Sequence, residues 1–236
     1  MFVSTKYRTD KPEIMDDFAM EGEILRDALV KIAKINQLLG GNKLTLQGVQ
    51  FLLSNNNKKQ QITIVDVGCG NGDMLRNLAD FGIKNNFDLR LIGIDANSFT
   101  VNIAKELSID YPNISYRCED IFDETFAKLK YDIILCTLTL HHFKDNEIRN
   151  ILAIFHANAS IGTVVNDLQR SVIPYRLFQI VCFIFRLNNM SREDGLTSIL
   201  RGFKKQELIQ FSKELNFKKY TIQWKWAFRY QWIIRK

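Results

Sequence analysis

The stretch Ile62–Gly72, ITIVDVGCGNG, constrains this chain more than any other. An apolar β-run ends on Asp66 and breaks into Gly68, Gly70 and Gly72, and helix-forming Asp73–Ala79 follows. That order spells a strand, a turn with little side-chain bulk, and the amino end of a helix. In an open parallel sheet, ligands bind in the crevice beyond the carboxyl end of such a strand. About twenty residues on, a second apolar run, LIGID (Leu91–Asp95), ends on an acid placed to hold ribose hydroxyls. A nucleoside-bearing cofactor is the reading these features support.

From Ile62 onward strand and helix signals alternate. The pattern predicts strands at Ile62–Val67, Asp88–Ile94, Ile114–Arg117, Tyr131–Leu138 and Gly162–Asn166. It predicts helices at Asp73–Phe81, Ser98–Ile109, Glu124–Leu129 and Asn146–Ala157, the last with Asp145 as its N-cap. Such a cadence argues an α/β fold with a parallel sheet covered on both faces. Lys204–Leu215 reads as a helix, and Phe217–Lys225 with Ala227–Ile234 as a final hairpin, which brings the sheet to seven strands, mostly parallel, the last antiparallel.

Residues 1–58 form an N-terminal helical cap in this reading, and 59–236 the main domain. Within the cap, 1–11 are polar and expected to be loosely held. Pro12 can open a short helix, a longer one carries Leu25, Ala28, Leu29, Ile32, Ile35, Asn36 and Leu39 on one stripe, and Gly40-Gly41 ends it. Leu44–Leu53 is a further helix, and Asn55–Gln60 a solvated linker. After Asn166 a lid-like insertion spans about 171–202: an apolar helix at Ser171–Leu187, then a mobile loop at Asn188–Gly202 containing Asp194-Gly195. The helix is short of the roughly twenty residues a membrane span needs. It reads as buried or substrate-covering, with peripheral membrane contact as the alternative.

Composition matters mainly for what it excludes. The four cysteines show no CxxC pair, which suits reduced thiols in a cytoplasmic protein. With His141, His142 and His156 alone, no zinc-finger spacing can be written. The net charge of +6 is modest and dispersed, so nucleic acid is not the expected partner. No signal-peptide core follows Phe2 and Val3.

Glycine spacing discriminates between cofactors. A dinucleotide turn wants G-x-G-x-x-G, so that a pyrophosphate can rest on helix N–H groups. Here Gly68-Cys69-Gly70-Asn71-Gly72 is followed by Asp73, an acid where the third dehydrogenase glycine belongs. A carboxylate there repels phosphate and tolerates an ammonium or sulfonium. On these motifs the chain resembles the class I S-adenosylmethionine-dependent methyltransferases, over roughly Ile62 to the C-terminus. VDVGCGNG is similar to that family's first motif, LIGID to its second, CEDIF to its third and YDIILCTLTLHHF to its fourth. More loosely, LHHF resembles ubiquinone/menaquinone-type enzymes. The MDD…EG…L…AL…IN…GG and NDLQRS…PYRLF patterns resemble a bacterial group of polyketide and pigment clusters.

The resemblance implies a Rossmann-like three-layer sandwich, S-adenosyl-L-methionine as cofactor, and roles for individual residues. Gly68, Cys69, Gly70 and Gly72 would let the backbone approach the methionine part, with Asp66 accepting from the turn or the cofactor amino group. Asp95 would take the ribose hydroxyls, beside Ala96; its competing role is an N-cap for the helix at Ser98. Asp120 and the Ile121 N–H would meet the adenine, with Glu119 the rival acid. Thr137 and Leu138 would line the cofactor near its methyl group.

On the acceptor side, His141 or His142 could deprotonate a phenol, His141 being favoured; their alternative is to stack on the cofactor or shape a turn. Asn166, Asp167 and Arg170 could bind the acceptor, or form turns and caps. Gln169 stands where the resembling group tends to histidine. No Asn- or Asp-Pro-Pro-aromatic string follows the fourth strand, and Thr137 stands where a metal-dependent catechol enzyme would place an acid, so no metal is expected. The expected activity is metal-independent transfer of a methyl group to oxygen, less readily carbon, of a phenolic, quinol or polyketide-like small molecule, aromatic or apolar. An RNA or protein methyltransferase, and a catalytically silent cofactor-binding protein, stay open at this point. So does the choice between monomer and homodimer.

Overall fold

The computed structural model describes residues 3–54 and 60–236; most of the expected linker, Asn55–Gln60, lies outside the described residues. β1 (Ile62–Val67) runs into the glycine turn, and α3 (Asp73–Asn85) returns over the sheet. β2 (Leu89–Asp95), α4 (Ser98–Leu107), β3 (Ile114–Cys118), α5 (Glu124–Lys128), β4 (Tyr131–Thr137), α6 (Asp145–Asn158) and β5 (Ala159–Leu168) follow in alternation. After β5 come α7 (Val172–Ile184), α8 (Asn189–Arg201) and α9 (Lys205–Glu214), then β6 (Lys219–Lys225) and β7 (Arg229–Arg235).

The seven strands lie in the order β3-β2-β1-β4-β5-β7-β6. The first five pair in parallel, and β7 enters antiparallel between β5 and β6. The chain order therefore reverses direction across the sheet at β1 and β4, where β2 and β3 lie to one side and β5 to the other. Such a reversal opens the crevice in which ligands bind.

Both faces are covered. Leu75, Leu78, Ile64, Leu91 and Val164 pack on the face that carries α3, and Phe126, Ile151, Phe155, Phe211 and Trp232 on the other. The N-terminal helices α1 (Glu23–Leu38) and α2 (Gly41–Leu53) extend the first of these layers. Gly48 of α2 sits so close to β5 that a Cβ there would meet Val164 at 2.6 Å. Val49, Leu52 and Leu53 share the sheet's own core cluster.

Three sequence expectations need correction. Residues 3–11 are not loose. Arg8 donates from Nη1 to Asp145 at 2.7 Å, from Nη2 to the His141 and Phe143 carbonyls, and from Nε to the Arg201 carbonyl. Asn188–Gly202 is not a mobile loop: it holds helix α8. Asn188 caps the Ser191 N–H at 2.8 Å, and Gly195 admits the Phe178 ring of α7, which a Cβ would meet at 2.3 Å. Asp194 is drawn inward to accept the Ile14 and Met15 N–H groups. These tertiary contacts outweigh the local turn signal of Asp-Gly. Finally, Lys144 rather than Asp145 is the N-cap of α6. Glu147 accepts the Lys144 N–H, which frees the Asp145 carboxylate for Arg8.

Candidate active site

Beyond the carboxyl ends of β1, β2 and β4 lies a cleft of about 480 Å³. The glycine turn forms its floor. Gly70 takes a left-handed φ of 52°, and its missing Cβ points into open space, 4.0 Å from the nearest heavy atom, Leu29 Cδ2. A ligand can therefore approach the backbone there. Gly68 and Cys69 line the cleft, but Gly72 does not. It is left-handed at φ 75° as N-cap of α3, and a Cβ would meet the Tyr116 hydroxyl at 2.0 Å. Its freedom serves the packing of β3, a correction to the cofactor role expected for it.

The acids are arranged as a charge trap. Asp66 is fully buried, and its Oδ1 has no hydrogen-bond partner. Burial, then Asp73 and Asp95, push its carboxyl well above the ordinary range. Asp95 accepts the Gly70 N–H at 3.1 Å and the Asn97 N–H at 3.0 Å, one on each oxygen. Burial still raises its carboxyl, because those two bonds only partly offset the loss of water. Helix α4 is capped by Asn97, whose side chain accepts the Thr100 N–H, so Asp95 is free of that duty.

Glu119, Asp120, Ile121, Ala96 and Thr137 also face the cleft. Glu119 is engaged by Thr125 and by Arg117 at 3.5 Å, whereas among the described residues the Asp120 carboxylate accepts only its local Phe122 N–H, at 3.0 Å. Thr137 Oγ1 meets Thr45 Oγ1 of α2 at 3.0 Å. Among the described residues no lysine or arginine lines this cleft. A pyrophosphate would meet carboxylates only, and a cation would relieve them. The orphaned Asp66 oxygen and the open Gly70 backbone are what a nucleoside carrying an ammonium and a sulfonium would require.

A second cavity, about 390 Å³, adjoins the first. Met15, Ile32, Asn36, Leu138 and His142 line both, and so form the seam. Leu138 has a left-handed φ of 53°, uncommon for a branched side chain, with its N–H held by the Asn166 carbonyl at 2.9 Å. The walls of the second cavity are apolar, from α7, α8 and the β6–β7 turn: Leu177, Phe178, Ile180, Ile199, Trp226 and Phe228.

Its polar end is a buried charge network. His141 Nδ1 lies 2.7 Å from Asp167 Oδ1, and the His141 N–H donates to Asp167 Oδ2 at 3.1 Å. Its Nε2 faces Glu13 Oε1 at 3.5 Å, close enough for attraction and long for a hydrogen bond. Burial alone would lower this imidazole, but Asp167 and then Glu13 outweigh it and push it up to about 9. Against the expectation that favoured His141 as a base, it holds its proton near neutrality.

His142 differs. Its Nδ1 pairs with Asp16 at 2.6 Å, and among the described residues its Nε2 makes no hydrogen bond. Burial would raise the Asp16 carboxyl, yet the His142 bond and charge and the Arg201 guanidinium hold it below its ordinary range. Glu13 Oε1 and the two imidazoles come within 4.8 Å of one another, a spacing open to a metal ion. Asp16 takes His142 Nδ1 there, and the Arg201 guanidinium stands 3.9 Å from Glu13 Oε1.

Asn166, Asp167 and Arg170 line neither cavity. Asn166 donates to the Gly41 carbonyl and Thr45, fixing α2. Arg170 is fully buried on Glu207, with further bonds to the Gly202 and Thr5 carbonyls. Asp167 acts on the site only through His141. The acceptor contacts expected of these three are therefore replaced by buried scaffolding. In turn, Glu13 and Asp16 were not singled out from the sequence. Their signal was the acid pair around Met15 in PEIMDD, in a stretch whose burial no local pattern reveals.

Residues 64–162 match the protein family described as methyltransferase domain. That segment is a methyltransferase domain, and the acid-lined cleft beside it suits S-adenosylmethionine. Solved structures agree in fold. The plantazolicin methyltransferase BpumL, in complex with S-adenosylhomocysteine, superposes with a TM-score of 0.67 over 88% of this chain and 89% of its own, at 16% identity. The magnesium protoporphyrin IX methyltransferase ChlM of Synechocystis PCC 6803 gives 0.54 over 83% and 82%, at 17% identity. The CurJ carbon methyltransferase gives 0.60 over 81% of this chain and 53% of its own, at 15% identity. No curated protein matches this methyltransferase by sequence.

Proposed function

We propose that this methyltransferase moves the methyl group of S-adenosylmethionine to an oxygen of an apolar, aromatic small molecule held in the second cavity. The observation that carries the proposal is the seam: an apolar chamber meets the acid-lined cofactor cleft at Leu138 and His142. Neighbours of the same fold act, by their names, on plantazolicin and on magnesium protoporphyrin IX. An RNA acceptor would call for an open basic groove, whereas among the described residues Arg229 is the one lysine or arginine lining the second cavity, and it donates to Asn36.

Each residue has a task in this reading. Asp66 accepts from the cofactor's ammonium. Asp95 offers its remaining lone pairs to the ribose hydroxyls. Asp120 and the Ile121 N–H meet the adenine; Glu119, already engaged, does not. Gly68, Cys69, Gly70, Ala96 and Thr137 shape the walls. The cofactor supplies an electrophilic methyl group, so the chain's work is alignment, exclusion of water and removal of one proton. His142 Nε2 takes that proton from the acceptor hydroxyl, while Asp16 fixes the tautomer through Nδ1 and stabilises the imidazolium. The protonated His141, locked by Asp167 and Glu13, positions this pair. Residues 1–58 act as a cap and 171–202 as the acceptor cover.

Two measurements test the reading. Calorimetry should detect S-adenosylmethionine binding by the wild type and none by Asp95→Ala; unaltered binding in the variant defeats the ribose assignment. A panel of phenols, quinols and polyketide pyrones, screened with methyl-labelled cofactor, should yield labelled ether. Labelled RNA or protein in place of labelled small molecules would refute the acceptor class.

A further inference from the structure

Helix α7 is apolar on nearly every side. Its sequence, VIPYRLFQIVCFI, carries Arg176 as its single charged residue, and only Pro174 and Cys182 are buried. Phe178 leans on Gly195 of α8 and the opposite face is left without a cover. A helix at a protein surface ordinarily turns its apolar stripe inward. Here Ile173, Leu177, Ile180 and Ile184, at three- and four-residue steps, lie outward on one stripe, and Phe183 beside them is 85% exposed. Trp226, from the β6–β7 turn, is 63% exposed, with Trp224 exposed nearby in sequence. Leu177, Ile180 and Trp226 also line the second cavity, so this exposed patch is the rim of its mouth.

The chemistry of the patch selects its occupant. Arg176 sits on the apolar stripe, donating to Gln179, and Arg186 is exposed just past the helix end. α7 has no acid. Arginine side chains that rise from an apolar face suit anionic headgroups, and tryptophan favours the same interfacial depth. At 1.5 Å per residue the helix is about 20 Å long, and no helix among the described residues is long and apolar enough to cross a membrane. Contact has to be in plane. A second copy packed on this face would bring a second Arg176 into the interface, and α7 supplies no carboxylate there.

We propose that the outer face of α7, with Trp224 and Trp226, docks on an anionic phospholipid bilayer. The apolar residues sink into the acyl boundary while Arg176 and Arg186 meet the headgroups. The mouth of the second cavity then opens onto lipid, and an apolar acceptor enters without crossing water. That last link rests on the acceptor reading above; the docking does not.

The test is co-sedimentation of the full chain with vesicles of phosphatidylcholine alone or mixed with phosphatidylglycerol. Binding is expected to the anionic vesicles, weakened by salt. Phe183→Ser/Ile184→Ser should lower the partition about tenfold or more, with an unchanged Tm. Without any variant, the wild-type tryptophan emission should shift to the blue on adding anionic vesicles. Absence of vesicle binding, no emission shift, or a partition that the double variant leaves unaltered overturns the proposal. So does a dimer, found by sedimentation equilibrium, that the double variant splits. Methyl transfer by the wild type to a water-soluble phenol without vesicles, or its failure, reports on the acceptor reading alone.

Discussion

His141 and His142 are adjacent in sequence and take different parts. His141 is sealed between Asp167 and Glu13, and His142 stands at the seam of the two cavities. The imidazole of His141 sits at about 9 in the folded chain against 6.5 when exposed. Its contribution to stability is therefore complete below pH 6.5 and lost as the pH rises toward 9. Glu13 and Asp167 are shifted downward despite their burial, by His141 in both cases. Their contribution is present above the ordinary carboxylate range and lost in acid. Stability due to this network thus peaks between roughly pH 5 and 6.5. His141→Gln should cost about 3 kcal/mol and flatten the alkaline limb of a Tm-against-pH profile; a profile that keeps its slope would exclude His141 as the titrating group. His142→Ala should lower kcat by about a hundredfold or more, with the cofactor Kd from calorimetry nearly constant. Equal loss of both quantities would make His142 structural.

At the scale of elements, contacts between segments decide what local pattern cannot. Gly72 is the clearest case: it caps α3 in a left-handed conformation and makes room for the Tyr116 hydroxyl of β3, which in turn meets Ser108 at 2.7 Å. Gly72→Ala should destabilise the fold by about 2–4 kcal/mol in urea titrations, through the left-handed backbone and the clash. Tyr116→Phe added to it should recover only the clash component. Complete recovery would show that the backbone conformation costs nothing, and no recovery that the hydroxyl is not the obstacle. Helix α8 makes the same point. Asp194 holds the Ile14–Asp16 turn to α8 by two N–H bonds, so Asp194→Ala should weaken the acceptor cavity by loosening Glu13 and Asp16. A rise in acceptor KM without a change in cofactor Kd is the expected result.

Across the whole molecule, the N-terminal segment is a strap from the sheet's switch point to α8. Arg8 and Arg201 together hold the backbone of His141 to Phe143, and Arg170 grips the Thr5 carbonyl from below. Native trypsin digestion should therefore spare the bond after Arg8, whose side chain is nearly buried, until global unfolding. Early cleavage there would mean that the strap opens locally.

The sequence by itself determined the α/β alternation, the glycine turn and the acids at the ends of β1 and β2. It did so because these depend on short-range periodicity and on residues next to one another in the chain. The acid at Asp73 already indicated a cation in place of a phosphate. Tertiary structure alone decided the acceptor end. The Glu13–Asp16 turn, His142 and Asp194 are far apart in sequence, and no local pattern says which polar groups will be buried together. Burial also reversed the parts of the two histidines. A carboxylate on each side of an imidazole raises its proton affinity, and only folding brings Asp167 and Glu13 to His141.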